Sequence, residues 1–286
     1  MIENHFIFFP TRYPDGDWSP QRLTFEDAYF SAADGTRLHG WYVPHDRPQA
    51  VVLFAHGNGG NLSHRSDLLR ALHDRAVTVL AFDYRGYGRS EGSPSEAGVL
   101  ADARAARTWL AKRTNLHEKD LVLHGESLGG AVVVHLASAD GARALILENT
   151  FSSLLDVVAF HYPWLPAKSL IRSRFDSVAE IGRCQGPLLQ LHGDADTFIP
   201  IELGRRLFRR PRRSPGIRIR SLGTDRLSRR RRSERGRRSS RHRRPRFPTV
   251  PDRRRADARG LTGGGSRGSL GAVAPSAADD SGLVEI

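Results

Sequence analysis

Five apolar runs of strand length lack the alternation expected of a sheet with one wet face: AVVLFAH (Ala50–His56), VTVLAFDY (Val77–Tyr84), LVLHG (Leu121–Gly125), ALILEN (Ala144–Asn149) and PLLQLHG (Pro187–Gly193). A strand that is apolar at successive positions must be buried on both faces, and helices laid on each side of a parallel sheet supply that cover. The intervening segments have the matching period. In SHRSDLLRALHDR the leucines and alanine recur at helical spacing, and Ser95–Arg113 opens on Ser and Glu, both good helix-start residues. A third helix is expected in SLGGAVVVHLASAD, directly after LVLHG. The expected fold class is α/β, a doubly wound and mostly parallel sheet. Phe25–Ala32 and Leu38–Pro44 flank the turn Asp34-Gly35-Thr36 and read as an antiparallel hairpin leading into it.

Two stretches interrupt this order. Residues 151–184, rich in aromatic residues and proline, separate two strands and are expected to form a small helical lid over the carboxyl end of the sheet, where open α/β sheets bind ligands. Beyond Phe208 the periodicity stops. The chain carries a formal charge of +13, but residues 1–204 hold 19 basic against 24 acidic side chains, and residues 205–286 hold 25 against 7. The basicity therefore belongs to the end of the chain. An arginine-rich and then Gly/Ser/Ala-rich segment without apolar period cannot offset the entropy of ordering, so 209–286 is expected to be a disordered tail attached to a domain of residues 1–208.

The single cysteine, Cys184, excludes an internal disulfide framework and is read as a small buried hydrophobe. No apolar run approaches the ~18–20 residues needed to cross a bilayer, and MIENHFIFFP lacks the basic start and long apolar core of a secretory signal. The expectation is a cytoplasmic chain without a membrane span, an anchor upstream of the given start being compatible with it.

Gly125-Glu126-Ser127-Leu128-Gly129 fits G-x-S-x-G in the context that gives the pattern meaning, a buried strand before it and a helix directly after. Glycines permit a sharp strand-to-helix turn that presents the serine, with the helix amino terminus favouring negative charge beneath it. Ser127 is the candidate nucleophile. HGNGGN (His56–Asn61) follows the first long core strand, where a second oxyanion donor would be placed. Acyl transfer passes through a tetrahedral oxyanion that needs two converging N–H groups, and the backbone N–H groups of Asn58 and Leu128 are the candidates. The polar groups of DYRGYGRSEG (Asp83–Gly92) are expected to brace that loop, without a catalytic part. LHGDADTFIP (Leu191–Pro200) offers Asp194 and Asp196 at a strand end.

The ordered set HGNGGN, DYRGYGRSEG, GESLGG, ENTF and HGDADTFIP resembles the α/β-hydrolase superfamily in its serine-aminopeptidase-like branch, from about Ile7 to Phe208. The resemblance implies a Ser-Asp-His triad in that chain order, an acyl-enzyme mechanism on an ester, thioester, amide or short peptide, and no metal or organic cofactor. It also assigns the acid to Asp196, leaving Asp194 as a loop carboxylate. In that family the histidine follows the acid by about thirty residues, after one further strand, inside a G-x-x-H turn.

Here that region reads RIRSLGTDRLSRR and holds no histidine. The one histidine after Asp196 is His242, farther along and in the arginine-rich segment. His56 and His192 begin HG turns, His124 sits on the strand before the elbow, and His161 in the lid has no evident partner carboxylate, so the base is unassigned. A change of reading frame near Phe208 accounts together for the charge reversal, the lost period and the lost histidine. The sheet would then lack its last strand and helix, leaving PLLQLHG as an open edge. The alternative is a noncatalytic fold whose basic tail binds polyanions nonspecifically, since the tail has few aromatic residues and no recognisable nucleic-acid module.

Overall fold

The computed structural model describes residue 4, residues 7–166 and 171–208, and the backbone pairing of residues 217–222. An eight-stranded sheet carries the molecule. It is built from β2 (Glu26–Ser31), β3 (Arg37–Val43), β4 (Ala50–Ala55), β6 (Val77–Asp83), β7 (Val122–Glu126), β8 (Ala144–Glu148), β9 (Leu188–Gly193) and β10 (Ile217–Leu222). Their spatial order is β10-β9-β8-β7-β4-β6-β3-β2. The hairpin β2–β3 is antiparallel, as is the β3–β6 pair, and every pairing from β6 through β10 is parallel. A further two-residue pair joins β1 (Phe9–Pro10) to β5 (Gly59–Gly60) and ties the amino-terminal segment to the loop after β4.

All seven residues of β6 and the last five of β4 are buried, as their unbroken apolar character requires. Helices α1 (Ser66–His73), α2 (Glu96–Thr114), α3 (Leu128–Asp140), α4 (Leu154–His161), α5 (Ser177–Glu180) and α6 (Ile201–Phe208) complete the described structure with short 3-10 turns. Two apolar cores form. One, around Leu53, Leu123, Val133 and Leu145, includes α2 and α3; the other, around Trp41, Phe54, Leu62 and Leu69, lies under α1. Ser95 caps α2, its side chain accepting from the Gly98 N–H at 3.2 Å, and Asn115 ends the helix in the left-handed conformation.

After β4 the chain crosses to β6 and then returns to the other side of β4 as β7. Strand order thus reverses between β4 and β7, and a crevice opens outside their carboxyl ends. The loop after β4 carries His56, Gly57 and Asn58, and the residue after β7 is Ser127.

Two expectations change. Residues 151–184 divide: the last three residues of α4 and the turn after it are largely exposed, whereas Val157 in the middle of α4, Phe175, Ile181 and Cys184 are buried in the larger core and α5 packs on α3. Phe175, Val178, Ile181 and Cys184 recur every third residue, a spacing that presents one apolar side and draws the segment inward. The second change concerns the sheet edge. It does not stop at β9, because β10 pairs along its whole length, from Ile217 opposite Leu188 to Leu222 opposite Gly193. The alternation Ile-Arg-Ile-Arg is a period-two sequence pattern, and the surrounding arginines masked it. The rest of the tail expected over 209–286 lies outside the described residues. Among the described residues no helix is long and apolar enough to cross a membrane.

Candidate active site

Ser127 is the single residue between β7 and α3, with φ +52° and ψ −114°. A non-glycine residue at positive φ is strained, so its surroundings must hold it there. Its N–H donates to the Glu148 carbonyl at 2.8 Å, and its own carbonyl accepts from the Gly130 N–H at 2.9 Å and the Thr150 hydroxyl at 2.8 Å. The flanking glycines are required by contact: a Cβ on Gly125 would collide with the Gly129 carbonyl, and one on Gly129 with that of Ala55. No side chain caps α3. Its amino terminus therefore keeps donors facing the crevice, and the Leu128 N–H has no hydrogen-bond partner among the described residues.

The loop after β4 passes beside the elbow, close enough that a Cβ on Gly57 would stand 3.5 Å from the Ser127 Cβ. Tyrosines hold it from below. The Tyr84 hydroxyl donates to the His56 carbonyl at 2.9 Å, and the Tyr87 hydroxyl is shared between the Asn58 carbonyl and Oδ1, each at 2.9 Å. Burial pushes both phenols well above their ordinary range, so they remain donors. Asp83 accepts from the Leu62 N–H at 2.8 Å and faces His56 Nε2 at 3.3 Å. The Asn58 N–H is left without a hydrogen-bond partner among the described residues. DYRGYG thus braces the loop as its position suggested. Arg65 adds a strut, its Nε donating to Glu126 Oε2 at 2.8 Å.

Asp196 lies three residues past β9, half-buried, and its Oδ1 accepts from the Phe198 and Ile199 N–H groups at 2.9 and 3.0 Å. Asn149, at φ +48°, links the ends of two strands: its N–H donates to the Leu191 carbonyl and its Oδ1 accepts from the Gly193 N–H, both at 2.9 Å. Glu126, Ser127, Asn149, Asp196, Phe198 and Ile199 line one small cavity. Ser127 and Asp196 thus share a cavity, and Asp194 is an exposed loop residue.

No described histidine lines that cavity. His56 bonds the Gly57 carbonyl at 2.7 Å and His192 that of Ile199 at 2.8 Å. His124 is buried against Phe54 with Glu148 at 3.5 Å. His161, the last residue of α4, bonds the Phe198 carbonyl at 2.9 Å at the cavity wall. His242 lies outside the described residues. Cys184 is a free cysteine buried in the core, and it does not line the cavity. Among the described residues no three His, Cys, Asp or Glu side chains group as metal ligands. Sequence reasoning did not find the parts played by Asn149, Thr150 and the Arg65–Glu126 pair. For Asn149 and Thr150 the signal was the string ENTF at the end of β8.

A family model described as "Serine aminopeptidase, S33" matches residues 46–174. An uncharacterized protein of Mycobacterium tuberculosis is 40% identical over 207 residues, covering 72% of this chain and 74% of the relative. Protein bem46 of Schizosaccharomyces pombe is 36% identical over 216 residues, covering 68% of this chain and 70% of its own. Among solved structures, an esterase of Pyrococcus furiosus superposes with a TM-score of 0.61 at 19% identity, over 82% of this chain and 95% of that one. The sheet order, the strained serine at its reversal point and relatives matched over most of their length converge on one assignment: this chain belongs to the α/β-hydrolase superfamily.

Proposed function

We propose that the domain is a serine hydrolase that cleaves a carboxylic ester, thioester or amide, including short peptides, through an acyl-enzyme on Ser127. The observation that carries this reading is the strained Ser127 backbone, braced on three sides and sharing one cavity with Asp196. The Ser127 oxygen would attack the carbonyl carbon while its proton passes to an imidazole held by Asp196. The oxyanion would form between the N–H groups of Asn58 and Leu128, the leaving group would take the proton, and water would then release the acid. Asp196 is suited to the orienting part because two backbone N–H groups fix one of its oxygens.

The imidazole is the missing member. Between Asp196 and His242 the sequence holds no histidine, so the region where the family pattern places it supplies none. Without a base, loss of a triad member lowers turnover by on the order of 10⁴ to 10⁶. We attribute its absence to a change of reading frame near Phe208, which resequencing of the gene tests. An uninterrupted frame shared by near relatives would end that explanation.

A fluorophosphonate probe tests the nucleophile. Labelling is expected to be weak or absent for this chain, strong for a version with the frame restored, and lost in S127A of that version. Equal labelling of both chains would mean that the base lies elsewhere in this one. The second reading is a noncatalytic fold with a polyanion-binding tail, and the 25 basic residues of 205–286 favour it. It requires salt-dependent retention on heparin with no labelling in either version.

A further inference from the structure

Ser127 and Asp196 line one cavity of about 80 Å³, with Phe198 and Ile199 as its apolar wall. Both residues keep one polar atom without a hydrogen-bond partner among the described residues. The two backbone N–H groups that reach Asp196 go to Oδ1, at 2.9 and 3.0 Å, and leave Oδ2 open. The bonds at Ser127 are made by its backbone N–H and carbonyl, and leave its hydroxyl open.

Size and bonding together select a guest. One water occupies about 30 Å³ and a cavity of about 150 Å³ takes benzene, so about 80 Å³ suits a five-membered ring. A guest that serves both open atoms needs an N–H for the Asp196 carboxylate and, on its other side, a lone pair able to take the serine proton. Neutral imidazole carries that pair across one ring carbon. An ammonium ion only donates, and pyrazole sets its two nitrogens side by side, so neither meets both ends. None of the side chains that line the cavity is such a ring.

We propose that this cavity takes free imidazole from solution, and that the bound ring serves as general base for Ser127, so that acyl transfer by this chain is switched on by a small ligand. The proposal rests on the serine-hydrolase reading. With a fluorophosphonate, the Ser127 oxygen forms the O–P bond as the P–F bond breaks, fluoride leaves with the bonding pair, and the serine proton goes to the ring nitrogen and from there to solvent.

The test is the rate of fluorophosphonate labelling of the full chain against imidazole concentration. The rate should rise about a hundredfold and saturate. S127A should stay unlabelled, and D196N, which keeps Oδ1 for the two N–H groups, should lose the rise. 1-Methylimidazole, which has the lone pair without the N–H, and pyrazole should give no saturable rise. A rise that stays linear in imidazole, or that D196N shares, would place the ring outside the cavity and overturn the proposal. Labelling without imidazole that H242A abolishes would also overturn it, because the chain would then hold its own base. Labelling of the frame-restored chain with no imidazole response in this one would remove the ligand site and keep the hydrolase. No labelling of either chain at any imidazole concentration would remove both.

Discussion

The Thr150 hydroxyl donates to the carbonyl oxygen of Ser127 across 2.8 Å, so the strained turn after β7 is held by a residue two places past the neighbouring strand. Thr150 is fully buried, and its side chain also fills the space in which a Cβ on Gly130 would stand. T150V keeps the shape and removes the bond. It should cost about 1–2 kcal/mol and slow probe labelling of the frame-restored chain, with T150S retaining most of both. Urea unfolding and labelling rates measure the two effects. An unchanged midpoint and rate would show that the elbow holds itself.

Gly129 has no room for a methyl group, since its Cβ would enter the Ala55 carbonyl and crowd that of His56 at 2.8 Å. G129A should therefore lose on the order of 3 kcal/mol or fail to accumulate folded. Gly59, with nothing within 4 Å of its Cβ position, provides the control. Thermal melts in which G59A and G129A behave alike would contradict the contact argument.

Arg85 holds a buried acid. Its guanidinium bonds Asp102 through Nη2 at 2.7 Å and Nε at 3.0 Å, and Asp34 through Nη1 at 2.8 Å. Asp102 is fully buried, and burial pushes its carboxyl up while the bonds from Arg85 oppose that rise. R85A strands the acid and should destabilise by about 3–5 kcal/mol, whereas R85A/D102A should recover part of the loss. Chemical denaturation of the two variants and of D102A closes the cycle. Strict additivity would mean that the pair contributes nothing as a pair.

His39 gives the stability a pH dependence with a defined sign. It is fully buried, and burial holds its imidazole below the ordinary 6.5, with the 2.7 Å bond to Asp27 opposing. The unfolded chain takes up the proton at the higher pH, so stability is retained above about 6.5 and falls as the pH drops from there toward the lowered folded value. H39Q should flatten that part of the profile. Identical slopes for parent and variant below pH 6.5 would remove His39 as the cause.

The unalternating runs were enough to place β4, β6, β7, β8 and β9 within a residue or two at either end, because a strand buried on both faces leaves an unambiguous mark. The elbow was equally plain, since its glycines answer to collisions that no other residue escapes. What remained hidden depends on partners distant in sequence. Asn149 reads as a turn residue until β9 lies beside it, and Phe9–Pro10 has no strand signal until Gly59–Gly60 offers an edge. β10 went unseen for a different reason: its alternation was locally clear, but composition over the surrounding window argued against any structure at all.

The burial of Cys184, with its sulfur 3.6 Å from the Val134 carbonyl deep under α3, gives the molecule a built-in alarm. A maleimide or disulfide reagent finds no target while that layer stays shut, and the chain has no second thiol to confuse the signal. Alkylation kinetics in native buffer would therefore time the opening of the interior beneath α3, without any engineered label.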